Sequence, residues 1–191
     1  MLFDPQFKPQ VNPKPPSPAT VWMLGSSPDS AILAGQQGLP YNFALFITPH
    51  MDTRILDYYR QKFTATERQE KPYTSLTVNV ICADTEEQAK RLALSRQISF
   101  LRFATGTGDS RICTPEEAEA VQLSGDERAF IDQRSAHAAV GTPEQVRDKL
   151  FQLAEDFNAD EIMTVTITYD FEARKRSYQL LAEAFALTGG Q

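Results

Sequence analysis

Four times along the chain, a short apolar run typical of a strand is followed by a segment whose apolar residues recur at helical spacing. This alternation favours a parallel sheet whose strands are joined by right-handed helical crossovers. A complete eight-unit barrel needs at least about 200 residues, whereas this chain has 191 residues and about four units. The sequence therefore predicts an α/β fold of parallel βα repeats, either a small open sheet or half of a barrel. The predicted strands are residues 20–24, 42–47, 75–82 and 161–168.

The predicted helices begin at capping residues. Ser27 and Thr142 each precede a proline at the first helical position. Asp84 or Thr85 precedes a long helix that is expected to run from residue 86 to about residue 103. A carboxylate cluster at this point is therefore better explained as a helix cap than as a binding site.

Two segments depart from the strand–helix rhythm. Residues 1–19 hold six of the chain's 12 prolines, and proline lacks a backbone donor and favours extended conformations, so this segment is expected to be an extended arm. Residues 104–140 separate the third unit from the fourth and predict an insertion with short helices near 114–117 and 126–133. The expected organisation is an arm followed by one domain, residues 20–191, that contains the insertion.

The composition excludes several classes of protein. The net charge of −6 argues against nucleic acid as a partner, because phosphate binding needs a basic surface. No run approaches the ~18 apolar residues of a membrane span, and the first residues lack the pattern of a secretion signal. Cys82 and Cys113 form no CxxC pair, and His50 and His137 lie far apart, so no metal site is expected. These features predict a reduced, cytoplasmic chain.

The most informative local motif follows the first predicted strand. Gly25 makes a turn, and Ser26 and Ser27 open a helix that carries Ser30 in its first turn. Backbone N–H groups at a helix N-terminus point outward and carry partial positive charge, so a phosphate can bind there with help from the serine hydroxyls. Plain helix capping explains the same residues without a ligand. The motif is neither GxGxxG nor a Walker loop, because it lacks the spaced glycines and the lysine.

Other residues are weaker candidates for a site. His50 follows the second strand, where barrel enzymes place catalytic groups, but an exposed loop histidine explains it as well. Tyr41 and Asn42 lie at the start of that strand and could line a pocket or serve in the core. Trp22 is expected in the core, and the basic run 174–176 on a solvated helix face. No residue is assigned as catalytic.

Several segments, taken in order, resemble the bacterial luciferase-like flavin monooxygenases. The segments are VWMLGSS (21–27), SA (30–31), GLPYNFA (38–44), YRQKF (59–63), ADT (83–85), VGTPEQV (140–146) and RSYQLLA (176–182). The match covers roughly residues 18–187. Over this range the chain resembles only the C-terminal half of the family's barrel.

The resemblance implies a TIM-barrel fold, usually dimeric, that uses reduced FMN and oxygen to oxidise a small organic substrate, with a separate reductase supplying the reduced FMN. It implies that Gly25, Ser26, Ser27 and Ser30 hold the FMN phosphate, with Ser27 the best-matched contact. The first four barrel units, which in the family provide most contacts to the flavin ring and the known catalytic histidine, have no counterpart here. The chain is therefore expected to be inactive alone; the alternatives are a non-catalytic flavin-binding or self-associating half-barrel and a fragment without activity.

A half-barrel is also expected to need a partner. Its two outer strands, 20–24 and 161–168, each leave a row of backbone groups without a strand to pair with. The inward faces of the strands, including Val78 and Val80, are expected to be apolar. Covering these surfaces favours a homodimer, or a complex with a separate N-terminal half.

Overall fold

Five parallel strands form the sheet in the computed structural model, which describes residues 19–48, 52–108 and 111–187. Strands and helices alternate outside the insertion, so the predicted α/β fold is confirmed. Residues 1–18 of the predicted arm lie outside the described residues. In chain order the elements are β1 (Met23–Gly25), α1 (Pro28–Gln36), β2 (Tyr41–Phe43), α2 (Ile55–Lys62), β3 (Thr74–Cys82), α3 (Glu86–Thr105), α4 (Pro115–Glu119), α5 (Gly125–Ser135), β4 (Ala139–Gly141), α6 (Pro143–Phe157), β5 (Glu161–Val165) and α7 (Phe171–Ala184).

Strand β3 is the centre of the sheet. Strand β1 pairs with β2, and β2 pairs with the N-terminal part of β3. On β3, residues Ser75–Asn79 pair with β5, whereas Val80–Cys82 pair with β4. All of these pairs are parallel, so the carboxyl ends of the strands open toward the same edge of the sheet.

The strand bounds differ from the predicted ones in three places. Strand β1 begins at Met23 instead of residue 20, β2 ends at Phe43 instead of residue 47, and β5 ends at Val165 instead of residue 168. After β2 the chain turns, with the Ile47 N–H donating to the Ala44 carbonyl over 3.2 Å. The apolar residues 45–47 therefore belong to this turn and not to a longer strand; Leu45 is buried there, whereas Ile47 is exposed. Strand β4, inside the insertion, is absent from the sequence prediction.

The two faces of β3 carry different chemistry. Leu76, Val78, Val80 and Cys82 belong to the main core, where they pack with apolar residues of α1, α2, α6 and α7. The expectation that Val78 and Val80 face away from the helices is wrong, because helix packing on one face buries the larger apolar side chains there. The opposite face of the strand starts with the polar row Ser75, Thr77 and Asn79.

Helix α3 forms a small core with the helices of the insertion and also covers the end of β3. Helix α3 packs on α4 and α5 through a cluster that includes Ile98, Cys113 and Ile131. A second cluster joins Ile81 and Ala83 to Ala89 and Ala93 of α3. Helix α3 therefore lies over the face of β3 that the outer helices do not cover. None of the helices in the described ranges is long and apolar enough to cross a membrane.

The helix starts follow the predicted caps. The side chains of Ser27, Thr85 and Thr142 each accept a hydrogen bond from a first-turn N–H of α1, α3 and α6. Helices α4 and α5 begin in the same way, at Thr114 and Ser124. Each cap satisfies a donor that the helix itself leaves unpaired. These caps fix where the chain leaves each strand and enters the next helix.

Candidate functional site

The turn after β1 is held by a capping box between two serines. The Ser27 side chain accepts the Ser30 N–H, and the Ser30 hydroxyl accepts the Ser27 N–H, each over 3.3 Å. The Ser30 hydroxyl in turn donates to the Ser27 carbonyl over 2.7 Å. The predicted capping role of Ser27 is therefore confirmed, and Ser30 has the reciprocal role.

Gly25 is required by the position of the Ser30 side chain. A Cβ atom on Gly25 would lie 2.1 Å from Ser30 Oγ and 2.4 Å from Ser30 Cβ. On its other side, Ser30 Oγ lies 3.0 Å from the hydroxyl of Tyr41, which begins β2. Burial raises the pKa of Tyr41, so this hydroxyl stays neutral at physiological pH. The turn is thus fixed against the neighbouring strand.

This turn has a few groups that could bind an anion. Ser26 and Ser27 are exposed. The Ser27 hydroxyl accepts the Ser30 N–H and donates to Ser30 Oγ over 3.4 Å, a long bond that an anion could replace. Pro28 has no N–H and the Ser30 N–H is used in the box, so the first helical turn offers the N–H of Asp29. The exposed Asp29 carboxylate partly offsets the positive end of the helix. Capping and anion binding are compatible here, and the phosphate role of the turn remains a prediction.

A buried polar row lies on the face of the sheet opposite the outer helices. Thr77 Oγ1 donates to Asn42 Oδ1 over 2.7 Å, and Asn42 Nδ2 donates to Ser75 Oγ. Asn79 Nδ2 donates to the Phe46 carbonyl over 3.1 Å, whereas its Oδ1 is buried without a hydrogen-bond partner in the described part of the chain. Sequence analysis missed this row, although the polar members of the alternating β3 pattern could have indicated it.

A cavity of about 370 Å³ lies between the insertion and the carboxyl ends of β2 and β5. We call it the α3–α5 cavity. Its walls are mostly aromatic and aliphatic, with arginines among them. The lining residues include Phe46 and Ile47 after β2, Arg96, Phe100 and Phe103 of α3, Arg134 of α5 and Ile167 after β5. This cavity opens at the same edge of the sheet as the turn after β1.

Two of the arginines in the cavity wall have no carboxylate partner among the described residues. Arg134 lies over the Phe100 ring, 4.0 Å from its centroid, and donates to the Ile47 carbonyl over 3.1 Å. Arg96 makes no hydrogen bond or ion pair in residues 19–48, 52–108 and 111–187. Burial lowers the pKa of both guanidinium groups, and the charge of Arg134 lowers the pKa of Arg96 further. A third arginine of the wall, Arg111, forms an ion pair with Glu117 at 2.9 Å.

The weaker sequence candidates have structural roles or lie outside the description. His50 is outside the described residues. Trp22 is half-buried and outside the core, so its expected core position is wrong; its ring lies 5.5 Å from the ring of Tyr73 in an edge contact. In the basic run, Arg176 pairs with Asp84 at 2.5 Å. Among the described residues, no group of three histidine, cysteine or acidic side chains is arranged to hold a metal ion.

The fold is a parallel α/β sheet with its candidate site at the carboxyl ends of the strands, and comparison with known proteins identifies the family. The family model of luciferase-like monooxygenases matches residues 2–160. A luciferase-like monooxygenase of Escherichia coli K12 is 36% identical over 161 residues, which cover 84% of this chain and 48% of the relative. The chain belongs to the luciferase-like monooxygenase family, and the resemblance stated above is confirmed.

Solved structures share the fold. Apo-MsnO8 is 34% identical, with a TM-score of 0.83 over 98% of this chain and 57% of that chain. A second structure is the oxygenating constituent of 3,6-diketocamphane monooxygenase from Pseudomonas putida, solved in complex with FMN. It has a TM-score of 0.54 at 20% identity and covers 85% of this chain and 47% of that chain, so the likeness is one of fold. The chain spans about half the length of the curated relatives it matches.

Proposed function

We propose that this chain is the flavin-binding C-terminal half of an FMN-dependent luciferase-like monooxygenase. The observation that carries this proposal is the turn of Gly25, Ser26 and Ser27, which opens at the same edge of the sheet as the α3–α5 cavity. Parallel α/β proteins bind ligands at this edge. Family membership makes a flavin phosphate the best match for the turn.

The residues of the turn fit a phosphate. The exposed hydroxyls of Ser26 and Ser27 and the N–H of Asp29 would hold its oxygens, while Ser30 and Tyr41 keep the turn in place. The missing Cβ of Gly25 lets the Ser30 side chain sit against the strand end. Reduced FMN supplies the electrons with which oxygen is activated and one oxygen atom enters an organic substrate. The protein binds and orients the reactants and excludes water.

The isolated chain is proposed to bind flavin without completing the reaction. It spans about half the length of its curated relatives, and the described residues provide the turn and the cavity but no assigned catalytic group. A reductase is proposed to deliver the reduced FMN. Binding, and not turnover, is therefore the property that tests this proposal in the pure chain.

The test is the substitution Ser27→Asp. Aspartate caps a helix as well as serine does, so α1 should persist, but its charge lies where the phosphate is expected. The affinity for FMN should fall at least about tenfold, because like charges in a partly buried anion site repel. Fluorescence titration measures this affinity with oxidised FMN, and anaerobic titration measures it with reduced FMN.

Three controls isolate the charge at the phosphate. Ser27→Asn also caps the helix but is neutral, so its FMN affinity should stay within a few-fold of the wild type. Riboflavin lacks the phosphate, so Ser27→Asp should leave its binding unchanged. Ser124→Asp places the same charge in the equivalent cap of α5 and should not affect FMN. Equal FMN affinities for Ser27→Asp and the wild type would rule out this phosphate site.

A further inference from the structure

The α3–α5 cavity combines an apolar wall with two positive charges that the described part of the protein does not neutralise. Phe100 and Phe103 of α3 and Phe46 after β2 form much of the apolar wall. Arg96 and Arg134 supply the charges. A volume of about 370 Å³ is in the range of pockets that bind small organic molecules.

The described contacts hold one of the two guanidinium groups in place and neutralise neither. Stacking on Phe100 and the bond to the Ile47 carbonyl fix Arg134. These contacts use the ring face and one N–H, and they leave the positive charge uncompensated. Arg96, half-buried on α3, has all of its N–H groups without an acceptor in the described ranges. Charged groups that are partly removed from water are normally paired, because their desolvation is costly.

Arg111 provides a contrast within the same wall. Its guanidinium pairs with both carboxylate oxygens of Glu117, each at 2.9 Å. Like charges such as Arg96 and Arg134 repel each other in a poorly solvated site, and an anion between them removes that repulsion. Arginine also presents a planar fork of donors that matches carboxylate and sulfonate oxygens.

We propose that the α3–α5 cavity binds an organic acid, with Arg96 and Arg134 holding its carboxylate or sulfonate and Phe100 and Phe103 contacting its apolar body. This assignment names a substrate class for the proposed function, namely organic acids. Only the claim that the bound acid is the substrate of the flavin reaction rests on that proposed function. The binding of the acid itself does not require flavin.

Calorimetric titration of the full chain with 2-naphthoate and with neutral 2-naphthamide tests the proposal. The two probes share an aromatic body and differ in charge. Wild-type protein should bind naphthoate at least about tenfold more tightly than naphthamide, because charge-assisted hydrogen bonds to arginine are strong. Equal affinities for the two probes, or no binding of either, would overturn the proposal. This test needs only the wild-type protein, so it does not depend on whether a variant folds.

Variants then assign the interaction to the two arginines. Arg96→Gln and Arg134→Gln should each weaken naphthoate binding about tenfold and leave naphthamide binding unchanged, and Arg96→Lys should retain part of the affinity. Arg128→Gln, an exposed position on the same helix as Arg134, makes the same charge change outside the cavity and should have no effect. Naphthoate affinities for Arg96→Gln and Arg134→Gln that match that of Arg128→Gln would contradict the assignment.

The same variants separate the organic acid from the flavin phosphate. FMN affinity should be unchanged by Arg96→Gln and Arg134→Gln and should fall with Ser27→Asp. If the arginine variants weaken FMN and not naphthoate, the arginines bind the flavin phosphate and the organic-acid proposal is wrong. If only the effect of Ser27→Asp on FMN is missing, the phosphate turn is wrong while the organic-acid site stands.

Discussion

At the scale of single residues, Gly25 shows how one missing side chain fixes the candidate phosphate turn. Gly25→Ala would place a Cβ 2.4 Å from Ser30 Cβ, and this neighbour belongs to the first turn of α1, so the helix has to shift. We expect a loss of about 1–3 kcal/mol in the free energy of unfolding, measured by urea denaturation, and weaker FMN binding. Gly125→Ala is the matched control, because a Cβ there meets nothing within 4 Å; a similar loss in both variants would refute the steric explanation.

At the scale of elements, helix α4 is tied to the preceding loop by one carboxylate. Glu117 closes the capping box of α4 and pairs with Arg111, whose guanidinium lowers the pKa of Glu117 from 4.5 to about 2. Because the pKa is lower in the folded state, the pair stabilises the fold above pH 4.5, and this contribution is lost as the pH falls toward 2. The melting temperature should therefore fall less between pH 5 and pH 3 in Glu117→Gln, which can still close the box, than in the wild type.

The control for this pH effect is Glu87→Gln. Glu87 also lies in the first turn of a helix, α3, but forms no ion pair in the described part of the chain. Thermal melts followed by circular dichroism should give this variant the acid sensitivity of the wild type. Coincident curves for Glu117→Gln and the wild type would show that the Arg111 pair does not contribute.

Elements also show which parts of the fold a sequence can predict. The caps at Ser27, Thr85 and Thr142 were predictable because capping depends on residues within one turn. Strand β4 was not predictable, since the three residues of Ala139–Gly141 become a strand only by pairing with Val80–Cys82. The face of β3 was also misassigned, because the alternation of Leu76, Val78 and Val80 shows which side chains share a face but not which face the helices cover.

The candidate site also has one part that the sequence could predict and one part that it could not. The turn from Gly25 to Ser30 is contiguous, so the sequence indicated it. Arg96 and Arg134 are 38 positions apart, one on α3 and one on a helix of the insertion, and the packing of α3 with α5 brings both to one cavity. A sequence-based method that considers one segment at a time has no signal for such a pair.

At the scale of the whole molecule, the sheet leaves three strands with one partner each in the described residues. Strand β1 pairs only with β2, and β4 and β5 pair only with β3. Of these, β1 and β5 are the two outer strands that the sequence predicts. On the face away from the outer helices, Leu24 of β1 is 60% exposed and Met163 of β5 is 47% exposed. The central part of that face is polar, so the apolar surface that needs covering is smaller than the sequence predicted and is concentrated at the two edge strands. Open strand edges with apolar side chains favour association with another chain.

We therefore predict that the chain self-associates through the β1 and β5 edges. Light scattering behind a sizing column should give at least about 43 kDa, which is twice the 21.4 kDa of one chain. Leu24→Glu should shift the protein toward the monomer mass, because a charge at the edge opposes burial there. Leu33→Glu is the matched control, since Leu33 is 48% exposed on α1, away from both edges, and its mass should equal that of the wild type. A folded wild-type species of about 21 kDa at micromolar concentration would show that the open edges do not drive association, and an equal drop in mass for both variants would place the interface elsewhere.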